Sequence, residues 1–72
     1  MNEQDVTKRF AAAITRWRRR LKMNKKEFAD FIGTSRNTIH NYESGHYMPQ
    51  LYTAMVIAEK LGISLDDLLR GK

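Results

Sequence analysis

Seventy-two residues, 42% of them hydrophobic, make a single small domain spanning 1–72, with room for one core and little else. The absence of cysteine excludes a disulfide framework and a thiolate metal site, and no apolar run is long enough to span a membrane. Residues 1–7 are polar and partly acidic, without a secretory-signal pattern, so the net charge of +5 is carried by a chain expected in a reducing cytosol.

In chain order, the spacing predicts five helices and no strand, an all-α class. The first runs from about Asp5 to Lys22, with Phe10, Ile14, Trp17 and Leu21 at helical intervals. The second, about Lys25 to Ile32, opens on Asn24 with Glu27 three residues later, the pattern of a capping box. Gly33 follows where the chain must leave that helix, a place that favours a left-handed conformation. The third, about Arg36 to Ser44, starts after Ser35 as N-cap and ends at Gly45. The fourth follows Pro49, the one proline, and carries Leu51, Ala54, Ile57, Ala58 and Leu61 on one face until Gly62 closes it. The fifth is one or two turns, capped by Ser64 and Asp67, with Leu65, Leu68 and Leu69 inward. Arg70-Gly71-Lys72 reads as a frayed end or the start of a tether.

Short amphipathic helices joined by tight connections imply a compact five-helix globule. The expected core is Phe10, Ile14, Trp17, Leu21, Phe28, Ala29, Ile32, Ile39, Tyr42, Leu51, Ala54, Ile57, Ala58, Leu61, Ile63, Leu65 and Leu68. Trp17 and Tyr42 belong there by spacing, in preference to a nucleic-acid stacking role. Phe31, Tyr52, Met55 and Val56 are not absorbed by that core; they suit a dimer surface or are single exposed apolar residues.

The segment 25–44 carries the functional signal. Its two short helices, broken by three residues, place small or apolar side chains where they must touch. Ala29 allows a close crossing, and Ile39 and Tyr42 point back toward one core. Arg36, Asn37, His40, Asn41 and Ser44 remain on the outer face of the second helix. That polar face, braced from behind, suits base edges in a DNA major groove.

Charge agrees in kind. Residues 8–36 hold ten Lys and Arg against Glu27 and Asp30, whereas the flanking stretches are net acidic. Such a field favours a polyanion or an anionic membrane, although solvated helix faces account for many charge runs. Arg9, Arg16 and Arg20 make one flank of the first helix basic. With Arg19 and Lys22 they either meet phosphates or keep the chain soluble. The two histidines, His40 and His46, have no third partner for a metal. No nucleophile–base pair or phosphate-cradling loop is legible, so neither enzyme nor cofactor is expected.

The run from about Ile14 to Leu69 resembles the DNA-binding domain of the lambdoid phage repressor and Cro family, the XRE-like helix-turn-helix regulators. The matching features are Arg18, Lys25-Lys26-Glu27-Phe28-Ala29, Ile32-Gly33-Thr34-Ser35, Ile39 and Tyr42-Glu43-Ser44-Gly45. Pro49, Ala58, Leu61-Gly62-Ile63-Ser64 and Leu68-Leu69 complete the register. The resemblance implies a lambda repressor-like five-helix domain from a phage or prophage setting. It would be cytoplasmic, nucleoid-associated, and bound to a double-stranded operator as a homodimer that represses transcription.

By that likeness Arg36, Asn37 and Asn41 face base pairs, with His40 beside them at a less regular reading position. The backbone set is Lys25, Ser35, Thr38, Ser44, Tyr47 and Gln50. Arg18 and Glu43 form an ion pair joining the first helix to the third. Two departures stand out. Lys25 replaces a frequent glutamine and meets phosphate as a point charge. The loop His46-Tyr47-Met48-Pro49-Gln50 replaces a basic one, leaving Tyr47 and Gln50 to hydrogen-bond phosphates and Met48 to a dimer contact. Two rivals stand beside this expectation. One is an antitoxin-type module that binds DNA only with a partner protein; the other is a basic helix for RNA or a membrane surface.

Overall fold

The computed structural model describes all 72 residues and contains five helices: α1 (Glu3–Arg20), α2 (Lys25–Ile32), α3 (Arg36–Glu43), α4 (Leu51–Leu61) and α5 (Leu65–Arg70). Local chemistry sets most of their ends. The Asn24 side chain accepts from the Glu27 N–H at 2.8 Å, and the Glu27 carboxylate accepts from the Asn24 N–H at 2.9 Å. These reciprocal bonds satisfy two free donors at the start of α2. Ser35 and Ser64 cap α3 and α5 through single bonds to Thr38 N–H and Asp67 N–H. Gly33, at φ 85°, lets the N–H groups of Gly33 and Thr34 both return to the Ala29 carbonyl and close α2.

Helix α1 differs from its expected span at both ends. It starts at Glu3 because Asn2 and Asp5 form a further capping box. It stops at Arg20 because Lys22, at φ 58°, turns the chain toward α2. Helix α3 ends one residue early, at Glu43, with Ser44 as its cap.

The core unites Phe10, Ala13 and Ile14 of α1 with Phe28, Ala29 and Ile32 of α2. Ile39 and Tyr42 of α3, Ile57 and Ala58 of α4, and Leu68 of α5 complete it. Each large side chain sunk this way contributes roughly 1.5–3 kcal/mol of transfer free energy. Phe10 meets Tyr42 edge to face, ring centroids 5.3 Å apart, across the α1–α3 contact.

Two expected core residues lie outside. Leu21 is 39% exposed because α1 has already ended before it, and Leu51 is 66% exposed at the first position of α4, whose buried side is carried by Ala54, Ile57 and Ala58. Trp17, Leu61, Ile63 and Leu65 are half-buried at the margin. Ala13, Ala11 and Thr7 are buried although the apolar spacing did not mark them. They lie on the helix against which α3 and α5 pack, and small side chains permit that approach.

Candidate nucleic-acid interface

Helix α3 is held from beneath by the core and from one side by α1. Ile39 is fully buried and Tyr42 is 8% exposed, so the inner side of the helix is sunk in the core. From α1, the Arg18 guanidinium grips Glu43 at two points, Nε to Oε2 at 2.7 Å and Nη2 to Oε1 at 3.1 Å. Arg18 also donates to the Met23 carbonyl at 3.2 Å, which ties the α1–α2 turn into the same joint. The Glu43 hydrogen bond raises the Arg18 pKa, with desolvation opposing it and Coulomb attraction adding to the rise.

With its inner side fixed, α3 presents Arg36, Asn37, His40 and Ser44 to solvent, and Asn41 half-exposed beside them. Arg36 and His40 are four residues apart, as are Asn37 and Asn41, so the four form two rows along one face. At the entrance, the Ser35 and Thr38 hydroxyls lie 2.9 Å apart, and Ser35 Oγ also accepts from the Thr38 N–H. At the exit, Ser44 Oγ donates to the Asn41 carbonyl at 2.6 Å. Tyr47 and Gln50 are exposed in the following loop.

Lys25, the first residue of α2, reaches this face as well: its Nζ lies 3.1 Å from His40 Nδ1. Spacing along one helix did not show that contact, because it joins two helices. The packing that brings Ala29 under α3 also brings the α2 N-terminus beside His40.

Two arginines of the basic flank of α1 are engaged within the fold. Arg16 donates to the Gly71 carbonyl and Arg20 lies over the Trp17 ring, 5.0 Å from its centroid. Both therefore have partners within the fold. The 70–72 segment also departs from the frayed end expected of it. Lys72 N–H bonds the Asp67 carbonyl at 2.9 Å, and Gly71 at φ 78° packs against the Arg9 backbone. Arg70 bonds Asp66 at 2.8 Å in the last turn of α5.

No group of three His, Asp or Glu side chains is placed to hold a metal ion, and no helix is long and apolar enough to cross a membrane. What the geometry provides is a short helix buried on one side, with amide, guanidinium and imidazole groups displayed on the other. The family model described as helix-turn-helix (HTH_3) matches residues 14–68, which include that whole assembly. The chain belongs to the XRE-type helix-turn-helix family. This helix-turn-helix domain marks a DNA-binding regulator, and its family role is regulatory, not catalytic. No curated protein and no solved structure matches the chain significantly.

Proposed function

We propose that the chain is a transcriptional repressor that lays α3 in the major groove of a near-palindromic operator, two copies binding half-sites about one helical turn apart. Residues 1–72 act as one domain, with 25–44 as its reading unit. Arg36, Asn37, His40 and Asn41 read base edges. Arginine suits guanine O6 and N7, and asparagine suits adenine N6 and N7. Lys25, Ser35, Thr38, Ser44, Tyr47 and Gln50 hold the phosphates that set register.

The observation that carries this reading is the one-sided burial of α3. Ile39 and Tyr42 are sunk while Arg36, Asn37 and His40 stand in solvent. A helix so held enters a groove without losing side-chain packing, and its readers are already oriented. The Arg18–Glu43 pair supports the same role by setting the angle at which α3 stands.

Selection of bound sites from random duplexes, with sizing of the complex, tests the proposal. Enrichment of a two-fold site carrying two chains is the expected outcome. An unenriched pool overturns sequence-specific reading, and one chain per site overturns the dimer. DNA binding that appears only with a co-purified partner protein establishes the antitoxin-type alternative.

A further inference from the structure

The ammonium of Lys25 lies 3.1 Å from His40 Nδ1, and neither group touches a carboxylate. A lysine ammonium has three donors and no lone pair, so the imidazole nitrogen facing it must be the one without a proton. The ring proton of neutral His40 is then on Nε2. Two features keep the groups together. Lys25 begins α2 directly after the Asn24 cap and is half-buried, and α2 packs against α3 through the buried Ala29 and Ile39.

We propose that Lys25 is a positioning residue that determines what His40 offers a base pair. By occupying Nδ1 it fixes Nε2 as a donor, so His40 selects a keto oxygen over an amino group. In the major groove that choice separates guanine O6 from adenine N6, and thymine O4 from cytosine N4. The inference rests on the reading of α3 as the base-contacting helix. It adds a residue of α2 to the determinants of sequence preference, while the two remaining N–H groups of Lys25 are left for phosphate.

The test pairs a spectroscopic with a binding readout. Ring ¹⁵N–¹H correlation spectra of the free protein at about pH 8, where an ordinary imidazole is neutral, report the tautomer of His40. His46, exposed and without a hydrogen-bond partner, is the internal reference. The parent and Lys25→Arg, which keeps a donor, should hold His40 as the Nε2–H form. Lys25→Met should let it relax toward the His46 mixture.

On duplexes varied at the position where His40→Ala relaxes preference, Lys25→Met should lose about five-fold of the keto-over-amino preference. Lys25→Arg should retain that preference, and discrimination at the base pair read by Arg36 should not change in either variant. A His40 tautomer indifferent to Lys25→Met overturns the proposal, as does an unchanged keto preference. A parent chain with no preference among duplexes overturns both this assignment and the repressor reading. The first two results leave that reading standing.

Discussion

Arg18 and Glu43, twenty-five residues apart, bond at two points with only 15% and 9% of their side chains exposed. Their bidentate geometry joins α1 to the last residue of α3, so a helix of eight residues inherits the orientation of one of eighteen. A pair this enclosed contributes little net stability against an apolar replacement, but stranding one partner is costly.

Arg18→Ala should therefore destabilise the fold by about 3 kcal/mol, read as a lower urea midpoint. Glu43→Ala should cost less, because Arg18 keeps its bond to the Met23 carbonyl. The double variant should fall well short of the sum of the singles; additive losses would show that the two charges act independently.

Arg36→Ala tests the reading face. Arg36 is exposed and bonds to no side chain of the protein, so its removal should leave folding intact. Operator affinity should drop by about 1–3 kcal/mol, with relaxed preference confined to one base pair. Competition among operator variants is the measurement. Unaltered discrimination would remove Arg36 from the readers.

Ala29 tests the brace behind that face. It is 1% exposed in the core shared by α2 and α3. Ala29→Leu should force the helices apart at a cost of about 1–3 kcal/mol. Specific affinity should suffer beyond the loss of folded fraction, since Arg36 and His40 move with α3. Gly33→Ala is the contrasting change. Its added methyl meets no atom within 4 Å, so the φ of 85° alone penalises it, by about 1–2 kcal/mol, without displacing α3. Denaturation and binding measured on the same samples separate the two effects.

Tyr42 links the core to alkaline pH. Burial raises its pKa above the ordinary value of 10.0, so the folded state retains the phenol proton more tightly than the unfolded chain. That stability is fully present below the ordinary tyrosine value and is lost as pH rises through the folded-state value. Tyr42→Phe should flatten the decline in stability above pH 10, measured by urea titration across pH. A decline equally steep without the phenol would assign it to other groups.

Much of the architecture is legible in the sequence alone. Asn24 with Glu27, Ser35 ahead of Arg36, and the glycines at 33 and 62 mark helix ends by local chemistry, and those ends appear where that chemistry puts them. Phe10, Phe28, Ile39 and Ile57 declared themselves by periodicity and are buried. Periodicity failed at the margins. Leu21 and Leu51 kept the helical beat but stand at helix ends and are exposed, and Ala13 and Thr7 are covered although neither is strongly apolar.

Composition and local order by themselves determined the helices, their caps and the polar character of the face that α3 displays. These depend on hydrogen bonds and spacings within a few residues, which a linear chain states outright. Tertiary packing decided which residues from different helices meet: Lys25 with His40, Arg16 with the Gly71 carbonyl, and α5 against the small residues of α1. Such contacts depend on how buried surfaces interlock across long stretches of chain, and the period of any one helix carries no information about its neighbour's position.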